Sequence, residues 1–384
     1  MDWSEKARRY VETSREEVLA LIETLCAIPA PSNREEKRAA FCRDWFAAAG
    51  AADVYVDKAL NAVCRLNYSE GRPVIVFMAH IDTVFPDLEP FRPQRRDGRI
   101  WCPGAGDDTA NLALLMLSAR YCLREGIGSD SGILFVANAG EEGLGNLKGS
   151  RRIMADYAGR VRRVVSFDGG MESVVDAAVG SERYMVRVEA EGGHSFSDFG
   201  HSSAIHLLAR MIGELYEIEP PARAGSITTY NVGTIQGGTS INTIAQDAEM
   251  LYEYRSNDRT CLEEMRRAFE GVVEKYRGRA RGLSVELVGS RPSTGDVDAG
   301  EQEALAAQVA DIVETVTGVR PRRKPGSTDC NIPLSLGVPA VCVGGYRGGG
   351  AHTREEWVEL DSLPAGMEIV LRVVLSQFRT DVRS

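Results

Sequence analysis

The chain has 384 residues, 43% hydrophobic and 26% charged, a composition that folds unaided and, at this length, points to two domains. Its formal charge of −10 excludes the basic stripe that nucleic acid or an anionic membrane surface requires, so neither partner is expected. Eight cysteines (26, 42, 64, 102, 122, 261, 330, 342) lack C-x-x-C spacing and predict reduced core thiols; with a charged start, MDWSEKARRYVETSREE, and no long apolar run, the expected location is the cytoplasm.

Ser14-Arg-Glu-Glu17 reads as a capping box before Val18, Leu19, Leu21, Ile22 and Leu25, predicting a helix that ends at the Pro29/Pro31 break. A second helix is expected from Arg34 to about Ala49, stopped by Gly50. Strands near 53–57, 62–67 and 74–79, a helix 110–123, a strand 133–138, a helix 147–157 and a strand 163–167 then alternate, the pattern of an α/β sheet covered on both faces. Val74-Ile-Val-Phe-Met-Ala79 is apolar throughout and predicts a strand buried on both faces, whose period-two geometry turns His80 and Asp82 to the same side at its exit.

Near Ser181 the texture changes. Tyr184–Ala190 alternates, a helix is expected from about Ser203 to Tyr216, a strand near 228–234, alternation again over Glu249–Tyr254, and a helix over 261–276. This is the β-α-β-β-α-β order of a ferredoxin-like module. After about residue 290 the α/β texture resumes, with a helix 301–316, the strand Ala340–Val343 and a terminal helix 365–379, while the basic run Arg320 to Lys324, interrupted by Pro321, reads as a solvated turn. The expected organisation is an α/β domain in two segments, 1–181 and 291–384, with an α+β module inserted at 182–290.

Polar clusters follow several strand-like or turn-like runs: His80, Gly104-Ala-Gly-Asp-Asp108, Asn138-Ala-Gly-Glu-Glu142, Ser166-Phe-Asp168 and Gly348-Gly-Gly-Ala-His352. Ligands of open α/β sheets bind beyond the carboxyl ends of the strands, so these clusters can converge there. Alone, each has an ordinary explanation: a hydrogen-bonded histidine, a helix N-cap, a solvated Glu-Glu-Gly turn. Together, two histidines and three carboxylates form the N/O donor set that suits zinc, cobalt or manganese, and a shared carboxylate can hold two ions about 3.5 to 4 Å apart. Only five histidines occur in the chain, and two of them sit in these clusters.

HIDTV at 80–84, GAGDDTANLALLM at 104–116, NAGEEGLGNLKGSR at 138–151, FDGG at 167–170, GGHSFSDFGHSSAIHLL at 192–208, GGTSINTIAQDAEMLYEYRS at 237–256, GSTDCNIPLSLGVPAVCVG at 326–344 and GGGAHT at 348–353 carry a family resemblance. Over most of its length the chain resembles the co-catalytic zinc metallopeptidases that include tripeptide aminopeptidase, glutamate carboxypeptidase, aminoacylase and succinyl-diaminopimelate desuccinylase. The resemblance implies a mixed central sheet covered by helices, as in zinc peptidases, with the inserted module acting as a lid; the module's alternating strands and the amphipathic stripe Ile205, Leu208, Met211 and Ile212 exceed what a small lid needs to bury and predict a homodimer contact. It further implies two divalent ions per chain: one on His80, Asp107 and Asp168, the other on Asp107, Glu142 and His352, with Asp107 bridging.

By the same resemblance Asp82 accepts a hydrogen bond from the far nitrogen of His80, Glu141 is the general base, and the Asp107–Asp108 peptide is cis. His194 would stabilise the tetrahedral oxyanion, often from the partner subunit, while Asn242 and Arg255 would hold polar ends or the carboxylate of the substrate; for Arg255 a structural ion pair is the competing expectation. His201 and His206 read as surface residues. Thr109-Ala110 and Gly143-Leu-Gly145 depart from the family pattern without removing a ligand, which bears on pocket shape.

Other chemistries lack their signatures. Lys148 stands where the third glycine of G-x-G-x-x-G belongs, no G-x-x-x-x-G-K-[ST] occurs, and Gly193-His-Ser-Phe-Ser197 lacks the last glycine of a serine-hydrolase elbow. A catalytically silent homologue is expected to have lost a ligand or the base, and all are present. The expected reaction is hydrolysis of an amide bond in a short peptide; in the resembled family an aspartate at the ligand position of Asp168 goes with aminopeptidases and dipeptidases, and the alternative is an N-acyl- or N-carbamoyl-amino-acid amidohydrolase or a carboxypeptidase on the same machinery.

Overall fold

The strand Val74–His80 organises the architecture: all seven residues are buried. Val74, Val76 and Met78 enter a core on one face of the sheet, and Ile75, Phe77 and Ala79 a larger core on the other. With no polar position from Val74 to Ala79, such a strand must be covered on both faces. In the computed structural model, which describes residues 3–378, it lies within an eight-stranded mixed sheet. The order is Val54–Val56, Ala62–Leu66, Gly132–Asn138, Val74–His80, Val161–Ser166, Ala340–Val343, Ser173–Ala178 and Arg322–Gly326. The strands Gly132–Asn138, Val74–His80, Val161–Ser166 and Ala340–Val343 run parallel, so their carboxyl ends share one edge of the sheet.

Helices Arg15–Cys26, Asn111–Arg124, Ala299–Thr317 and Leu363–Ser376 bury their apolar faces in the larger core, over the stacked rings of Phe77, Phe135 and Phe167. Lys148–Asp156 and Asn331–Ser335 close the other face. A small antiparallel sheet of Gly348–Gly349, Trp357–Glu359, Arg99–Trp101 and Gln94–Arg96 joins two loops distant in sequence.

The chain divides into two compact units, one made of the residues up to Ala178 with those from Gly295 onward, the other of Val179–Thr294. The second is a four-stranded antiparallel sheet in the order Thr228–Gly237, Asp247–Ser256, Gly180–Glu189 and Gly282–Arg291. Helices Ala204–Tyr216 and Arg259–Arg277 pack against it around Val186, Val188, Met250, Tyr252 and Phe269.

Several local expectations fail for identifiable reasons. Ser14 makes no side-chain N-cap bond: it closes the end of an unanticipated helix Glu5–Thr13, its N–H donating to Val11 O and its hydroxyl to Tyr10 O, and Glu17, expected to complete the capping box, pairs with Arg120 instead. The basic run is no turn. Arg322–Gly326 is an edge strand parallel to Ser173–Ala178, a strand also missed, with Arg323 paired to Asp176 and Glu303; an edge position tolerates Pro325 because one side of the ladder is unused. The terminal helix runs Leu363–Ser376, and residue 379 of the expected helix lies outside the described residues. All eight cysteines are buried and free. Among the described residues no helix is long and apolar enough to cross a membrane.

Candidate metal centre

His80 terminates its strand at the carboxyl edge of the sheet with its Nε2 3.0 Å from Asp107 Oδ1. Asp107 sits on the turn before helix Asn111–Arg124, and its peptide bond to Asp108 is cis. Its other oxygen, Oδ2, is 3.0 Å from Nε2 of His352, which is also 3.0 Å from Glu142 Oε1. Ligand atoms of His80, Asp107 and Asp168 lie within 4.8 Å of one another, as do those of Asp107, Glu142 and His352. Asp107 thus belongs to both groups, one oxygen toward each histidine. A third grouping, His80, Glu141 and Glu142, brings the carboxylate of Glu141 beside them.

The cluster concentrates negative charge where water is scarce. Burial, then the charge of Asp107, pushes Asp168 up to about 6, and burial raises Glu142 as well. Hydrogen bonds to the carboxylates of Asp107 and Glu142 draw His352 up to about 10; burial opposes protonation of His80, but the acids around it outweigh that and raise it too. Divalent cations meet the same demand for positive charge while leaving imidazole neutral and carboxylate ionised, so the donors and their electrostatics fit a pair of such ions.

Asp108 is turned elsewhere: its oxygens accept the backbone N–H of His80 (3.0 Å) and Nδ2 of Asn111 (2.7 Å), bracing the strand end. Asp82 departs from the expected geometry. The nearer partner of His80 Nδ1 is the Asp82 backbone carbonyl at 3.0 Å, with the carboxylate at 3.5 Å. That carboxylate instead collects the backbone N–H groups of Glu141 and Glu142, both at 3.0 Å, and the hydroxyl of Ser32 at 2.7 Å. The cause is local: Gly140, at φ 72°, turns the chain so that two successive N–H groups point back at the strand end, and a buried carboxylate satisfies them. Asp82 therefore aims the Glu141–Glu142 pair as well as steadying His80. Sequence reasoning did not single out Ser32, nor Asn138 and Asp329, which bond at 2.6 Å behind the site. Burial and then the charge of Glu141 push the Asp329 carboxyl up to about 8.

Residues 76–376 match the profile of Peptidase family M20/M25/M40. The chain belongs to that family. It is accordingly a metal-dependent hydrolase of the peptidase and amidohydrolase kind. A succinyl-diaminopimelate desuccinylase of Nitrosospira multiformis is 24% identical over 79% of this chain and 84% of the relative. A tripeptidase of Staphylococcus aureus shares the fold with a TM-score of 0.74 at 23% identity, over 95% of this chain and 99% of that one. So does a Bacillus subtilis protein described as a dinuclear metal binding peptidase of family M20, with a TM-score of 0.61 at 17% identity, over 96% of this chain and 100% of the other.

In this M20-family chain the remaining candidates lie in the second unit. His194 pairs with Thr243 in a two-stranded ladder, and Ser195 N donates to Asn242 O at 2.9 Å, so His194 and Asn242 are neighbours. The ring of His194 accepts from the N–H of Phe196 through Nδ1 at 3.3 Å. Arg255 is not with them. It lies near the far end of strand Asp247–Ser256, roughly 25 Å from the Asp247 end at about 3.3 Å per residue, and its guanidinium makes two 3.0 Å bonds to Glu253. His201 and His206 are exposed.

Proposed function

We propose that this chain is an exopeptidase that removes the amino-terminal residue of short peptides, with two divalent cations, zinc first among them, held by His80, Asp107, Asp168, Glu142 and His352. The observation that carries this reading is the division of Asp107 between two three-residue donor groups. When bound, such ions supply Lewis acidity toward the scissile carbonyl and make water a stronger acid. Glu141 takes a proton from the attacking water as its oxygen adds to the carbonyl carbon, then returns that proton to the leaving nitrogen as the C–N bond breaks, giving a carboxylic acid and an amine, which at neutral pH become carboxylate and ammonium by transfer of the acid's proton. Asp82 keeps Glu141 aimed through its backbone N–H, and His194 donates to the oxyanion.

The tripeptidase neighbour and the aspartate at 168 favour peptides; the desuccinylase relative keeps N-acyl amino acids as the second reading. Di- and tripeptides, free and blocked at either terminus, assayed beside N-acyl and N-carbamoyl amino acids with metal-loaded protein separate them. Cleavage is expected only where the amino end is free. Turnover confined to N-acyl substrates overturns the aminopeptidase assignment.

The same reading has two copies meet through residues 179–294. Within one copy of this unit Arg255 is too far from His194 and Asn242 for all three to reach one short substrate, and a second copy removes that obstacle. Helix Ala204–Tyr216 spends Leu208, Met211 and Leu215 on its own core, so the contact falls to its exposed Ile205 and to Ile235 on the edge strand Thr228–Gly237, an edge whose backbone groups are open to pairing. Light scattering at micromolar concentration is expected to give the mass of a dimer; a monomer mass counts against it.

A further inference from the structure

The turn that carries Asp107 is held by a residue from the other end of the chain. The N–H groups of Gly104, Gly106 and Asp107 converge on the Glu356 carboxylate, at 2.6 Å to Oε2 and at 2.8 and 2.7 Å to Oε1. Glu356 is 2% exposed, and its own carbonyl accepts the N–H of Cys102 at 3.0 Å. Both ends of the grip are covalently close to the proposed centre: Glu356 and His352 belong to one hairpin loop, between Gly349 and Trp357, and Trp357 pairs with Trp101 just before the turn. Gly104, at φ 73°, lets the successive N–H groups face inward, the concave arrangement of backbone donors that seats an anion.

We infer that Glu356 is a positioning residue that orients the Asp107 turn, and that the His352 hairpin therefore contributes to both cation sites, to one by its imidazole and to both by this carboxylate. The inference rests on the reading of Asp107 as a bridging ligand. A glutamine at 356 has one acceptor oxygen and one amide nitrogen, so in either orientation the nitrogen faces at least one backbone N–H, and the turn must shift. Supporting groups behind metal ligands change metal affinity about 10- to 100-fold when altered.

The test is a titration of Zn2+ and of Co2+ into chelator-stripped full-length protein against a chromophoric competitor, for wild type, Glu356→Gln, Glu356→Asp and the exposed control Glu355→Gln. Thermal unfolding is recorded in EDTA and in excess Zn2+. Glu356→Gln is expected to weaken Zn2+ binding about 10- to 100-fold, to alter the visible Co2+ spectrum and to narrow the gap between the two melting curves, while Glu355→Gln behaves as wild type. A folded Glu356→Gln with wild-type affinity and spectrum, its melting lowered equally with and without metal, overturns the inference and leaves Glu356 a purely structural clamp. Should Glu356→Gln fail to fold, Glu356→Asp, which draws the carboxylate back by one methylene, decides by the same criterion. Wild-type protein that binds no Zn2+ at all overturns the reading of Asp107 itself, and the inference with it.

Discussion

Glu141→Gln is expected to lower kcat roughly 10³- to 10⁵-fold while two divalent ions per chain remain bound, somewhat beyond the usual range for one acid–base group because it serves both proton transfers. Glu141 and Glu142 are adjacent, both buried, and both held by their backbone N–H groups to Asp82. Their side chains diverge in company. Glu142 lies with Asp107 and His352, 3.0 Å from the latter, whereas Glu141 groups with His80 and Glu142 and lies outside both sets that share Asp107. A base must keep its lone pairs, and a carboxylate tied to a cation has lost basicity. Metal analysis beside steady-state kinetics checks the assignment. Metal loss with rescue by added metal in Glu141→Gln, and not in Glu142→Gln, reverses the two roles; full activity in both removes the mechanism.

Asp107→Asn is expected to do what no other single ligand change does, which is to weaken both sites. Each oxygen of Asp107 faces a different histidine at 3.0 Å. Asparagine keeps one oxygen, loses the charge, and turns an NH2 donor toward the second site. Affinity should fall by more than about 100-fold, beyond what altering a supporting group costs, and excess metal should not restore activity. Glu142→Gln touches one site and should recover in part at high metal concentration. Ligand binding stabilises the folded state by about 2.7 kcal/mol at 100 times the dissociation constant, so EDTA should lower the melting temperature of wild type and barely move that of Asp107→Asn. A variant that keeps two tightly held ions contradicts the bridging role.

The alternation of strands and helices, the strand buried on both faces and the embedded β-α-β-β-α-β order were legible because each is a short-range consequence of apolar spacing: Val74–Ala79 has no polar position to expose, and Tyr184–Ala190 alternates. The polar residue at the end of Val74–Ala79 was legible for the same reason, since a run of apolar residues that stops on His80 announces where the sheet edge lies. Caps and edges were not. Ser14 had a local partner in sequence and found another across the helix end, and Arg322–Gly326 became a strand only because Ser173–Ala178 offered it a free ladder.

What the sequence by itself determined is thus the inventory of donors, their order and the elements that carry them, all matters of neighbours along the chain. Which donor faces which was decided only in three dimensions. The Asp82 carboxylate serves the amides of Glu141 and Glu142 more closely than the imidazole two residues away, and Glu356 holds the Asp107 turn from some 250 positions further on. Buried N–H groups must find acceptors wherever the packed chain presents them, and spacing along the sequence carries no record of that search.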